Sequence, residues 1–141
     1  MTDTGESAHY LEVAPENVEI RLRWSTATNR QNVPNVAGTS QVIGSGRQNT
    51  ALILAVDVTA PAALACRNLS NNRLNDWFLP SRNELNQLYR NRVLVGNLET
   101  GFFWSSSQYN FGKAFAHYIE FNIQYEGYKD NVKDVRPVRA F

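Results

Sequence analysis

A chain of 141 residues with 43% apolar and 11% aromatic side chains is long enough to bury one core and too apolar to be disordered. Its formal net charge of +1 argues against a dedicated nucleic-acid-binding domain, and its single cysteine, Cys66, excludes an internal disulfide. The charge is uneven: residues 21–92 hold nine arginines (21, 23, 30, 47, 67, 73, 82, 90 and 92) against Asp57, Asp76 and Glu84, and residues 93–141 balance five with five.

In chain order, Tyr10–Val13 reads as a short strand stopped by Pro15. Val18–Trp24 alternates, with Val18, Ile20, Leu22 and Trp24 on one side, as a half-buried strand does. Residues 25–48 form a polar stretch too long to be a plain connection, so a functional or self-packed loop is expected. A helix is predicted over Thr50–Val58 with Leu52, Ile53 and Val56 on its apolar stripe. A second, over about 61–69, has Pro61 at its first position and Leu64, Ala65 and Leu69 inward, and Cys66 lies in it as an inert buried residue. Ser70–Asn75 is a turn cluster. Ser81-x-x-Glu84 is a capping box opening a third helix with Leu85, Leu88 and Tyr89 as its stripe, and Gly96 lies beyond its end. From Phe102 the texture is that of strands. Ala114–Phe121 alternates, with Phe115, His117, Ile119 and Phe121 on one face and Ala116, Tyr118 and Glu120 on the other. Gly127 and Asp130-Asn131 mark turns, and Val132–Phe141 is a last strand in which Pro137 marks an edge or a bulge. Strand, helices and then an antiparallel set make the fold class α+β.

Reaction chemistry is poorly represented. Gly44-Ser45-Gly46 lacks the third glycine of a dinucleotide fingerprint and the Lys of a phosphate loop, so it reads as a turn into a helix. His9 and His117 have no i+4 histidine partner, which leaves no zinc pattern. Ser106, His117 and Asp134 supply the residue types of a hydrolase triad without its elbow motif, and the Ser105–Ser107 run suits bonds to nearby backbone better. The chain is expected to be no enzyme, with no catalytic residue, cofactor or metal. By contrast, residues 108–131 interleave tyrosines with Asn, Lys, Glu and Gln, the composition of a recognition surface. Candidate ligand-contacting residues are Tyr109, Asn110, Lys113, Tyr118, Glu120, Tyr125, Tyr128 and Lys129, with Arg82, Arg90 and Arg92 from the basic middle.

Three segments carry a resemblance. Asp76-Trp77-Phe78-Leu79-Pro80-Ser81-x-x-Glu84-Leu85, then Phe103-Trp104-Ser105-Ser106-Ser107, then Val135-Arg136-x-Val138-Arg139-x-Phe141 resemble the C-terminal domain of bacterial collagen-like adhesins. That family is similar in turn to the C-type-lectin-like fold, which the variable proteins of diversity-generating retroelements share. The resemblance covers about residues 9–141 as one ligand-binding domain, and leaves 1–8 as a flexible tail. It implies a small twisted, mostly antiparallel sheet flanked by two or three helices, with the first and last strands paired. It also implies an adhesin head for sulfated glycosaminoglycans, or alternatively a display domain for host surface proteins. A collagen stalk is trimeric, so the resemblance adds a homotrimer. The calcium signature of sugar-binding lectins is missing: Pro15-Glu16-Asn17 and Asn75-Asp76-Trp77 carry similar letters in the wrong order. Met1–Glu6 is polar and acidic, unlike a secretory leader, so an extracellular or cell-surface location requires a longer parent chain. No nucleic acid and no membrane insertion is expected.

Overall fold

The structure, a computed structural model, describes residues 11–15, 20–27, 29–96 and 98–140. The tail expected over 1–8, and Tyr10 and Val18 of the predicted strands, lie outside them. Among the described residues the chain runs β1 (Leu11–Val13), β2 (Ile20–Arg23), α1 (Gly46–Val56), α2 (Pro61–Asn68), α3 (Arg82–Arg90), α4 (Arg92–Val95), β3 (Phe102–Gln108), β4 (Lys113–Tyr118), β5 (Ile123–Tyr128), β6 (Val132–Val135) and β7 (Val138–Ala140). This is an α+β fold. Short 3-10 turns at Arg30–Asn32 and Ile119–Phe121 complete it.

The main sheet has the order β2-β6-β3-β4-β5, and its β3–β6 pair is parallel while the others are antiparallel. β1 and β7 pair antiparallel as a separate two-stranded sheet, Leu11 opposite Ala140, so the first and last described strands do meet. The closing strand expected over Val132–Phe141 is two strands over the described residues 132–140, Phe141 lying outside them. Pro137 has no N–H for a ladder, and the chain changes sheets there, β6 serving the large sheet and β7 the small one.

The helices differ from expectation in their inward faces. α1 starts at Gly46, four residues early, and buries Gly46, Asn49, Thr50, Ile53 and Leu54, a regular i, i+3, i+4, i+7, i+8 stripe. Two of those positions are polar, which hid the stripe. Thr50 Oγ1 donates to Gly46 O (2.8 Å) and accepts from Leu79 N (3.0 Å), while Asn49 Nδ2 donates to Ser40 O (2.7 Å). Val56, expected inside, is exposed. α2 begins at Pro61 as predicted, but buries Ala62, Ala63 and Cys66, with Leu64 only partly covered. Burial pushes the Cys66 thiol up, which keeps it protonated and unreactive. α3 carries the predicted capping box.

Two apolar clusters lie on the two sides of the large sheet. One joins Trp24, Ile53, Leu79, Trp104, Ala114, Ala116 and Val135 beneath α1 and α2. The other joins Phe78, Leu85, Leu88, Leu98, Phe103, Ile119 and Val138 beneath α3. The serine run stitches them together. β3 bulges between Trp104 and Gln108, Ser105 Oγ donates to Phe115 O (2.7 Å), and Ser107 Oγ donates to Ser40 O (2.8 Å) while accepting from Arg82 N (3.0 Å).

Candidate functional site

Pairing of β4 with β5 sets Lys113 opposite Tyr128, Phe115 opposite Glu126, Ala116 opposite Tyr125 and Tyr118 opposite Ile123. Successive residues of a strand point to opposite faces. Lys113, Phe115, His117, Gln124, Glu126 and Tyr128 therefore share the α3 face, and Ala114, Ala116, Tyr118, Ile123, Tyr125 and Gly127 share the other. The tyrosines expected on one platform are divided: Tyr118 and Tyr125 on one side of the sheet, Tyr128 on the other. The sequence alternation of Ala114–Phe121 holds only to Tyr118, because the 3-10 turn follows and Asn122 is left-handed (φ 53°). Phe121 thus swings into solvent instead of lying beside Phe115.

On the face away from α3, helices α1 and α2 cover the Ala114–Ala116 end and leave the Tyr118 end open. Phe102 stacks on Tyr118 with centroids 4.1 Å apart, Tyr125 meets Phe102 edge-on at 6.3 Å, and Phe121 meets Tyr118 edge-on at 5.1 Å. With Phe121 62% exposed, Ile123 51% and Phe102 39%, these side chains make an aromatic plate open to solvent. Its floor is Lys133, which is buried. The Lys133 ammonium lies 5.1 Å from the Trp104 ring and 4.9 Å from that of Tyr125, and donates to Tyr125 Oη at 2.8 Å. Burial holds the Lys133 pKa below the usual lysine range, and Arg21 adds to this. Gly127, read as a turn, is inside β5 because the Lys133 stem crosses where its Cβ would stand, 2.5 Å from Lys133 Cε.

On the α3 face, Arg82 lies 4.2 Å over the Phe115 ring and donates to Gln124 Oε1 (3.0 Å) and Gln41 Oε1 (2.9 Å). Tyr109 packs edge-on against Phe115 at 5.5 Å. Lys113 (4.7 Å) and Arg30 (3.7 Å) both approach the Tyr128 ring, and Arg30 also pairs with Asp130 at 3.0 Å. Asn110 closes the β3–β4 turn, its Oδ1 accepting from Gly112 N and Lys113 N. Arg82 and Lys113 are thus half-buried near aromatic rings with neutral partners, while Glu126 on the same face of the sheet is exposed.

The remaining expected residues lie elsewhere. Arg90 ends α3, roughly 12 Å of helix from Arg82, and Arg92 opens α4 just beyond it. Glu120 is exposed in the 3-10 turn. Lys129 is fully buried, so it cannot meet a ligand at the surface. Its ammonium donates to Gln108 Oε1 (2.6 Å) and Pro34 O (3.2 Å) and sits 4.5 Å from the Trp24 ring. Sequence reasoning missed Phe102, Phe121 and Ile123, the most exposed apolar members of the plate. Phe121 and Ile123 sit around the 3-10 turn, which gives no strand-period signal, and Phe102 opens β3 outside the tyrosine-rich stretch.

The triad types do not assemble. His117 Nδ1 accepts from Gln124 Nε2 (3.3 Å), its Nε2 bonds Asn122 Oδ1 (2.9 Å), and its ring stacks on Tyr89. Burial, aided by Arg82 and opposed by the Asn122 bond, holds its pKa below the usual histidine range. Ser106 Oγ accepts from Asn49 Nδ2, and Asp134 accepts from Phe102 N and pairs with Arg21. Among the described residues no three His, Cys, Asp or Glu are grouped to hold a metal ion. Compared with known proteins, the sequence matches no family model and no curated protein.

Proposed function

We propose that this domain is a non-catalytic recognition head of C-type-lectin-like fold, akin to the C-terminal domain of bacterial collagen-like adhesins, displayed outside the cell on a longer, trimeric chain. The fold reading is supported by the pairing of β1 with β7 and by helices on both sides of a mixed sheet. The ligand it fits best is a protein surface. The observation that carries this is the plate of Phe102, Tyr118, Phe121, Ile123 and Tyr125, rigid aromatic area at low entropy cost over a buried lysine. The test is binding of the domain to host cells, scored by flow cytometry. Phe121→Ala/Ile123→Ala is expected to weaken binding by about 1–3 kcal/mol, roughly 5–200-fold, with the melting temperature unchanged. Protease treatment of the cells should abolish binding. Unchanged binding by the double variant removes the plate from the account.

A second reading, a sulfated glycosaminoglycan on the opposite face, is favoured by Arg82 and Lys113 having no carboxylate partner among the described residues. Guanidinium groups hold sulfate in bidentate fashion. It predicts heparin binding that Arg82→Ala/Lys113→Ala lowers at least about tenfold and that about 0.5 M salt removes. Phe121→Ala/Ile123→Ala leaves such binding intact, since it alters the other side of the sheet. Heparin retention insensitive to both the variant and salt refutes it.

A further inference from the structure

Helix α4 presents its apolar side chains to solvent. Val93 is 90% exposed and Leu94 85%, whereas Val95 alone turns inward against the Leu88 and Leu98 cluster. The turn is held firmly: Leu94 N and Val95 N both donate to Asn91 O (2.9 and 3.0 Å), Gly96 N donates to Arg92 O (2.9 Å), and Asn91 Nδ2 donates to Gln87 O (2.9 Å). Arg90 and Arg92 precede the two aliphatic residues in the chain, and both are exposed. Arg92 lies 4.2 Å over the Tyr89 ring and donates to Tyr89 O, and neither arginine pairs with a carboxylate among the described residues. Residues 85–98 contain no Asp or Glu, and Glu99 is the nearest carboxylate along the chain on that side.

We propose that this tip is a shallow anchor for an anionic lipid surface, Val93 and Leu94 entering the interface while Arg90 and Arg92 hold lipid phosphates. Charge complementarity points to an anionic partner, since two exposed arginines adjoin the apolar pair in the chain and residues 85–98 hold no Asp or Glu. Size and shape point to a bilayer rather than a protein. A stable protein contact covers about 800 Å² per partner, whereas a four-residue helix spans only about 6 Å. A bilayer needs no matching pocket, so two protruding aliphatic side chains suffice. Only two side chains of a four-residue helix protrude here, which makes the proposed contact a peripheral one. It is also separate from the aromatic plate and from the Arg82–Lys113 face.

The test is co-sedimentation of the whole chain with phosphatidylcholine vesicles that do or do not contain about 30% phosphatidylserine. Binding is expected only to the anionic vesicles, falling at least tenfold in Val93→Ser/Leu94→Ser and about 30-fold in Arg90→Gln/Arg92→Gln, by the rule that about 1 kcal/mol attaches to each basic residue near such a surface, and falling also on raising salt. These side chains lie outside the core, so both variants should keep the parental near-UV circular dichroism. Absence of binding to anionic vesicles, or equal binding by the serine variant, overturns the proposal. So does a serine variant that turns an oligomer into a monomer while its vesicle binding is unchanged, because the tip is then a contact between copies.

Discussion

Replacing Glu84 by alanine is expected to lower stability by about 3–4 kcal/mol, a large part of the ~5–15 kcal/mol a domain of this kind has. Glu84 is fully buried and makes no ion pair among the described residues. Its Oε1 accepts from Ser81 N and its Oε2 from Gly44 N, both at 2.7 Å. One carboxylate therefore closes the capping box of α3 and also fastens the loop that leads into α1. The close approach extends to Gly46, where a Cβ would strike the Glu84 carboxylate and the Phe78 ring, so the loop comes this near only because position 46 has no side chain. The partial positive charges at the starts of α1 and α3 both favour a carboxylate here.

Alanine at 84 leaves two amide donors without acceptors in a dry site, each costing about 1–3 kcal/mol, and removes the cap. For a chain of this length, that corresponds to a fall of about 10 °C in melting temperature. Glu84→Gln keeps one acceptor but turns an NH₂ group against the other amide, so its loss should fall between alanine and the parent. Ser81→Ala is the informative partner. Ser81 Oγ accepts from Glu84 N (3.2 Å) and donates to Val42 O (2.9 Å), and its removal should cost only about 1 kcal/mol. Thermal melts of the three variants decide the matter. If Glu84→Ala costs no more than Ser81→Ala, the carboxylate acts as an ordinary cap and the loop is held by other contacts.

The Glu84 pair shows what the sequence could and could not say. The bond to Ser81 spans three residues, and its spacing is a signature that can be read directly. The bond to Gly44 spans forty, and nothing local announces it. The same contrast runs through the fold. Pro61 announced the start of α2, and the alternation around Phe115 and His117 announced β4. The polar half of the α1 stripe was hidden, because Asn49 and Thr50 are buried for bonds to distant loops rather than for apolarity. The candidate surface failed in a simpler way. Tyr125 and Tyr128 are three apart, which in a strand places them on opposite faces, but a pair of aromatics beside a glycine did not mark β5 as a strand. Lys129 reads as a surface residue by the general habit of lysines, a habit that its environment breaks.

Lys129 should make the stability of this domain rise with pH across the mildly alkaline range. The ammonium is buried against Trp24 and hydrogen-bonds two oxygens, and burial pushes its pKa down to about 7, Asp57 acting weakly in the other direction. In the unfolded chain a lysine titrates near its ordinary value of about 10.4. Between those values the unfolded state binds more protons than the folded state, so the free energy of unfolding increases as pH rises. The contribution is fully present above about pH 10.4 and is lost as pH falls toward 7, and its size is at most about 5 kcal/mol, less whatever solvent screening removes. Lys133, with its pKa also depressed by burial, acts in the same sense. Tyr125 opposes above about pH 10, because burial raises its pKa and the folded state then resists ionisation that the unfolded chain accepts. Urea melts at half-unit steps from about pH 6 to pH 9.5 should therefore show a rising curve. Lys129→Met keeps the contact with Trp24 and removes the titration, so its curve should be much flatter and should approach or cross that of the parent at the acid end. Parallel curves for the two proteins would mean that Lys129 folds with an ordinary pKa. The bonds from Lys129 to Pro34 and Gln108 pin residues 34–36, since Gln108 Oε1 also accepts from Val36 N (2.7 Å) and Gln108 Nε2 donates to Asn35 Oδ1 (2.8 Å). The methionine variant should accordingly lose amide protection first at Val36, where hydrogen exchange reports the loosened loop before any change in the sheet.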